Sequence, residues 1–170
     1  EHPTPQRTPA QRPLAAASSV PHMTSLNGDY IPSTLDWVRE QIETYERTGG
    51  REANTLRDTG IPVIIVTMRG AKSGAVRKIA LMRVEHHGAY ALVASRGGAP
   101  TNPDWYTNLV EHPEEVLVQD GPEPFRVRVR EVQGDEYDQW WQRSVAVFPT
   151  YDEYKAKTSR RIPVLVTERV

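Results

Sequence analysis

The sequence predicts an α+β protein built around a small, mainly antiparallel β-barrel. Two observations carry that prediction. About six short runs rich in β-branched residues fall within about 110 residues, mostly as a meander. Helical patterns flank and interrupt these runs, with polar caps or glycines at their ends.

Residues 1–22 stand apart from this pattern. They are rich in Pro, Ala, Gln and Ser, with no apolar period and no apolar core of roughly 7–15 residues such as a signal peptide carries. His22-Met23 reads as the junction left by an expression tag, with a natural disordered tail as the alternative. Residues 23–57 are expected to form an amino-terminal helix region, and residues 58–170 the barrel domain.

The helix lies in STLDWVREQIETYERTGG. Ser33 and Asp36 have capping-box spacing. Leu35, Val38, Ile42 and Tyr45 make one stripe, and Gly49-Gly50 supplies the left-handed stop. Arg39, Glu40, Glu43, Glu46 and Arg47 form a mixed-charge, solvated face. The strands are PVIIVT, KIALMRVEH, AYALVAS, EEVLVQ, FRVRVREV and IPVLVTE. His87-Gly88 and Asp120-Gly121-Pro122 read as turns between them. One helix is expected from Asn102-Pro103, where proline suits the first helical position, and another from Asp135 through Trp140-Trp141 to Pro149.

A net charge of -1 argues against bulk attraction to nucleic acid or acidic lipid. The absence of cysteine excludes disulfides, thiolate catalysis and cysteine-ligated zinc. No run approaches the roughly 18 apolar residues of a membrane span. None of the five histidines has metal-ligand spacing with a carboxylate partner, so no metal is expected. Neither a GxSxG elbow nor a GxGxxG turn after a strand is present.

Three segments carry candidate chemistry. In TMRGAKSGAVRKIA, Gly70, Ser73 and Gly74 free the backbone while Lys72, Arg77 and Lys78 supply charge, with Arg83 further on. Free amides beside cations suit a phosphate or polycarboxylate; the plainer alternative is a solvated hairpin. In SRGGAPTNPDWYTNL, Ser95 and Arg96 end a strand and Gly97-Gly98 lets backbone approach a planar ligand. Trp105 and Tyr106 open the next helix, either as ligand contacts or as packing under the loop. Asn108 is either a satisfied polar group or a contact. In FPTYDEYKAKT, Pro149 sets off a flap on which Tyr151 and Tyr154 share a helical face. Phenols with an ordinary pKa of about 10 are proton donors at neutral pH; the alternative is packing on the barrel.

Together, GAKSGAVRKIALMRV, LVASRGGAPTNPDWYTNLVEHPEEVLVQDG and FPTYDEYKAKTSRRIPVLV resemble the deazaflavin-dependent nitroreductase family over about residues 60–168. The resemblance implies an FMN-binding-like split β-barrel. It implies coenzyme F420, an 8-hydroxy-5-deazaflavin, as hydride carrier, with a quinone as acceptor and nitroaromatic compounds as incidental ones. It assigns Lys72, Ser73, Gly74 and Arg77 to the coenzyme's phosphate and acidic tail. Ala94, Ser95, Arg96, Gly97 and Gly98 fall along the ring, with Trp105 and Tyr106 beside it. Tyr151, Tyr154 or Ser95 would deliver the proton that follows hydride. Ala71, Phe148 and Met82 depart from the family pattern, which has basic or tyrosine residues there. An FMN-binding barrel and a non-catalytic deazaflavin carrier are the rival functions. A cytoplasmic location is expected, and both a homodimer and peripheral contact with the inner face of the plasma membrane are compatible with the resemblance.

Overall fold

The computed structural model describes residues 25–170, so the expectation for residues 1–22 lies outside the described residues. The elements run α1 (Asp36–Thr48), β1 (Val63–Arg69), β2 (Val76–Met82), β3 (Glu85–His86), β4 (Ala89–Val93), α2 (Asp104–Glu111), β5 (Val116–Gln119), β6 (Pro124–Glu131), α3 (Gly134–Val147), α4 (Thr150–Lys157) and β7 (Val164–Arg169). The strands form one sheet in the order β2-β1-β5-β6-β7-β4-β3, and every ladder is antiparallel.

The seventh strand arises because KIALMRVEH breaks at Arg83-Val84 into β2 and β3. That break forces the shape of the sheet. β2 and β3 stand at opposite ends of the strand order, yet three Cα steps join Met82 to Glu85, a reach of roughly 11 Å. The sheet must therefore curl until its ends meet at this corner. Arg83 locks the corner: its N–H donates to Pro62 O (2.8 Å) and its guanidinium pairs with Asp120 at 2.9 Å. The β-barrel expected from the strand count is this curled sheet, a half-barrel whose end strands β2 and β3 form no ladder with each other among the described residues.

Strand alternation divides the core. Ile64, Val66 and Met68 of β1, Tyr90 and Leu92 of β4, and Leu165 of β7 face one interior, closed by Leu109 of α2. Ala91, Val93, Val164 and Val166 point the other way, onto Tyr137, Trp140 and Trp141 of α3 and Tyr151 of α4. Val63 and Ile65 meet Ile42 and Tyr45 of α1.

The helix starts differ from the capping expectation. Ser33 Oγ accepts from the Leu35 N–H at 3.2 Å, and Leu35, two residues on, itself occupies the N-cap. Leu35 is left exposed, so the buried stripe is Val38, Ile42 and Tyr45. Gly49 ends α1 in the left-handed region (φ 61). His87 (φ 51) and Gly88 (φ 82) make the two-residue hairpin turn between β3 and β4.

Candidate functional site

The segment between β1 and β2 makes a tight, tethered loop. Gly74 takes φ 70 and donates to Gly70 O at 3.0 Å. Asn108 of α2 accepts from the Ala71 N–H at 2.9 Å, and Ser73 Oγ accepts from the Ala75 N–H at 3.1 Å. Asn108 is therefore a satisfied tether. Arg69 clamps the loop's far side, donating to Gly74 O at 2.7 Å and to Glu115 at 3.0 Å. These bonds leave the N–H groups of Lys72 and Ser73 without a protein acceptor among the described residues.

The charges divide unevenly. Lys78 is bound to Glu46 of α1 at 2.8 Å and Arg83 to Asp120 at 2.9 Å. Both charges are thus already paired, Lys78 while lining the cleft, which corrects the expectation that the whole basic stretch supplies free charge. Lys72 and Arg77 form no salt bridge with a described carboxylate. Both line a cleft of ≈ 570 Å³ together with Ser73, and Asp104 contributes one carboxylate. The rest of the wall is mixed: Ile31 and Val38 from the amino-terminal side, Met68 and Ile79 from the sheet and Trp105 from α2 are apolar, while Ser33, Thr34, Lys78, Thr107 and Asn108 are polar.

Trp105 and Tyr106 part company. Trp105 faces the cleft, whereas Tyr106 donates its hydroxyl to Glu131 of β6. That hydrogen bond, then burial, pushes the Tyr106 phenol up to about 12.

Ala94 to Gly98 form a second group, joined to the cleft through residues 99–103. Arg96 (φ 44), Gly97 (φ 62) and Gly98 (φ 81) follow one another in the left-handed region. Ala94 and Ser95 are buried, Arg96 and Gly97 exposed. Gly98 is buried for a reason other than ligand approach. A Cβ there would stand 2.9 Å from Tyr154 O and 3.1 Å from Tyr154 Cα, so α4 itself fills the space. At Gly97 a Cβ would meet nothing within 4 Å. Gly98 thus brings the Ala94–Gly98 segment and the tyrosine helix together by backbone contact.

α4 is a packed helix, and the flap expectation is corrected accordingly. Asp152 accepts from Trp141 Nε1 at 2.9 Å, tying α4 to α3. Tyr151 is 2% exposed, edge-on to Phe148 at 4.9 Å and 6.4 Å from the ring of Tyr154. Burial, and secondarily Tyr154, holds the Tyr151 phenol above the usual tyrosine range, so it is a neutral donor. No protein acceptor takes its proton among the described residues. Tyr154 is half-buried on the same side. Neither tyrosine lines the cleft.

Arg160 is a residue that the motifs did not single out. Its guanidinium donates to Ala99 O (2.8 Å), Asn102 Oδ1 (2.7 Å), Ser95 O (2.8 Å) and Ala94 O (3.2 Å). In sequence it is one of two adjacent arginines before a strand, with nothing to mark its reach of more than sixty residues. The amino-terminal wall of the cleft was also missed, because Ile31 and Val38 read there as helix packing and connecting chain.

The match to known proteins spans both groups of residues. A family model described as F420H(2)-dependent quinone reductase covers residues 37–169. An F420H(2)-dependent quinone reductase of Mycobacterium tuberculosis is 34% identical over 128 residues, 74% of this chain and 85% of that protein. The solved structure of an F420-H2 dependent reductase (FDR-A) superposes with a TM-score of 0.60 at 46% identity, covering 63% of this chain and 94% of that one. A second solved structure, described as a domain-swapped dimer, gives a TM-score of 0.62 at 44% identity over 80% of this chain and all of that one.

Proposed function

The chain belongs to the F420H(2)-dependent quinone reductase family, and from that premise we propose that it reduces a quinone-type acceptor at the expense of the reduced deazaflavin coenzyme. The observation that carries this reading is the cleft, in which two unpaired cations and two free amides share one space with apolar side chains from α1, the sheet and α2. An acidic, phosphate-bearing tail needs the first, and a planar ring and hydrophobic acceptor need the second.

The residues present fit the coenzyme. Lys72, Arg77 and the Lys72 and Ser73 N–H groups would hold the tail, and Trp105 offers a flat apolar face in the same cleft. The outward face of the Ala94–Gly98 segment would take the ring, since Gly97 leaves it without a side chain. When bound, the coenzyme supplies the hydride. The protein's part is to align donor and acceptor, keep water out, and hold a proton for the reduced oxygen. Tyr151 is kept neutral by its burial, and Tyr154 and Ser95 are the further donors on this reading. Nitroaromatic compounds are secondary acceptors on this reading.

Stopped-flow oxidation of the reduced coenzyme by a soluble quinone tests the reading. Tyr151→Phe or Tyr154→Phe is expected to slow the reaction at least tenfold, about 1.4 kcal/mol, while coenzyme affinity changes less than threefold. Wild-type rates in both and in the double variant would reduce the pair to packing. A wild-type protein that binds the coenzyme but never oxidises it with any quinone or nitroaromatic acceptor would be a carrier.

The reading extends to the setting of the reaction, in the cytoplasm. A homodimer draws support from the relative described as a domain-swapped dimer, and gel filtration with light scattering tests it. Ile31, Leu35 and Trp37 are exposed beside the cleft and would meet a lipid surface carrying a quinone. Co-sedimentation with vesicles, lost in Leu35→Ser with Trp37→Ser, is the expected result.

A further inference from the structure

We propose that Arg160 is the positioning residue of the Ala94–Gly98 segment: by gathering the segment's carbonyls it turns the Ser95 and Arg96 N–H groups outward as a fixed pair of donors. The inference rests on the family reading above only for the identity of the ligand that the donors meet.

The argument is geometric. In a trans peptide the C=O of one residue points opposite to the N–H of the next. Arg160 Nη2 binds Ala94 O at 3.2 Å and Ser95 O at 2.8 Å. The N–H groups of Ser95 and Arg96 must therefore point away from the guanidinium. Neither donates to a protein acceptor among the described residues, and the Gly97 N–H beside them is free as well. Arg160 Nε and Nη1 fix the far end of the same loop through Ala99 O and Asn102 Oδ1.

The segment cannot hold this shape alone. Arg96 sits at φ 44, which costs a non-glycine residue energy, and its own side chain is committed to Thr101 Oγ1 at 2.6 Å. A planar fork with several donors in fixed directions matches the acceptors that a point charge would not.

Charge adds to geometry. Arg160 forms no salt bridge with a described carboxylate, and it meets only carbonyl oxygens and an amide oxygen. Arg161, Lys155 and Asp138 share its surroundings, and Arg96 lies near enough for its charge, after burial, to lower the Arg160 pKa. The guanidinium therefore polarises the Ala94–Ser95 and Ser95–Arg96 peptides in the same sense, strengthening their outward N–H groups. Such a pair suits the acceptor-rich edge of a planar heterocycle.

The test compares the oxidised coenzyme with its ring-only fragment, which lacks phosphate and acidic tail. Fluorescence titration of wild-type protein, Arg160→Gln, Arg160→Lys and a Lys72→Ala/Arg77→Ala variant gives the affinities. Amide NMR of the ligand-free proteins follows Ser95 and Arg96. Arg160→Gln is expected to weaken both ligands by at least tenfold and to the same extent, and to move the Ser95 and Arg96 amide signals. The Lys72/Arg77 variant is expected to weaken only the complete coenzyme. Arg160→Lys keeps the charge and loses the fork, so it should fall between wild type and Arg160→Gln on the fragment. It decides the matter should Arg160→Gln fail to fold. Fragment affinity within threefold of wild type in Arg160→Lys and in any folded Arg160→Gln, or unmoved Ser95 and Arg96 signals, would overturn the proposal while leaving the family reading intact. Failure of wild-type protein to bind the complete coenzyme would overturn both.

Discussion

Gly98→Val is expected to unseat α4 and to be the most destabilising single change in the candidate site. Its Cβ would stand 2.9 Å from Tyr154 O and 3.1 Å from Tyr154 Cα, both backbone atoms that cannot rotate aside. The residue must also keep φ 81, which costs an L side chain roughly 1–2 kcal/mol. Forced overpacking adds typically about 1–3 kcal/mol. The sum, on the order of 2–5 kcal/mol, corresponds to a melting point lower by about 10 °C in a chain of this size. Gly97→Ala is the control. It bears the strain of φ 62 but meets no neighbour within 4 Å, so it should lose only the backbone share. Thermal melts followed by circular dichroism compare the two. Equal melting points would mean that α4 does not rest on Gly98. Because α4 carries Tyr151 and Tyr154, folded Gly98→Val protein should also lose acceptor turnover, whereas bulk at Gly97 should act on coenzyme affinity first.

The same pair of glycines shows where reading the sequence succeeds and where it stops. That Gly97-Gly98 needs special backbone freedom was legible, because consecutive glycines at a strand end have few other uses. Which of the two faces helix and which faces outward was not, because α4 lies more than fifty residues away in the chain. Local signals fared well generally. The Gly49-Gly50 stop, the His87-Gly88 hairpin and the break at Pro149 all act on their immediate neighbours. Pairing at a distance was invisible. Lys78 and Arg83 looked like free cations, yet their partners Glu46 and Asp120 stand 32 and 37 positions off. Arg160 was overlooked for the same reason, since the carbonyls it gathers carry no sequence signature. The break that splits β2 from β3 lacks glycine and proline, and it follows from the need of the curling sheet to turn a corner at Arg83-Val84.

Neutralisation of Lys78 and Arg83 sharpens the expectation for coenzyme binding to two residues. Lys72→Ala combined with Arg77→Ala should weaken the complete coenzyme by about 100-fold or more, close to 3 kcal/mol. Charge-assisted bonds are worth about 1.5–3 kcal/mol each, and solvent at the open loop reduces that for exposed Lys72. Arg77 is half-buried against the cleft wall, the only described hydrogen bond of its side chain a long one to Ile31 O at 3.5 Å, so it should carry the larger share. The affinity should fall with added salt in wild-type protein and much less in the double variant, because the screened charges are then gone. FMN, with one phosphate and no acidic tail, should bind wild type more weakly and lose less on the double substitution. Fold is not at stake: neither side chain is in a salt bridge with a described residue, so the melting point should stay within about 2 °C. Isothermal titration of both proteins with coenzyme, tail-less fragment and FMN at two salt concentrations reads all of this at once. A loss as large for the fragment as for the coenzyme would mean that Lys72 and Arg77 act on the ring. Equal FMN and coenzyme affinity in wild type would mean that the cleft recognises a single phosphate and not an extended acidic chain.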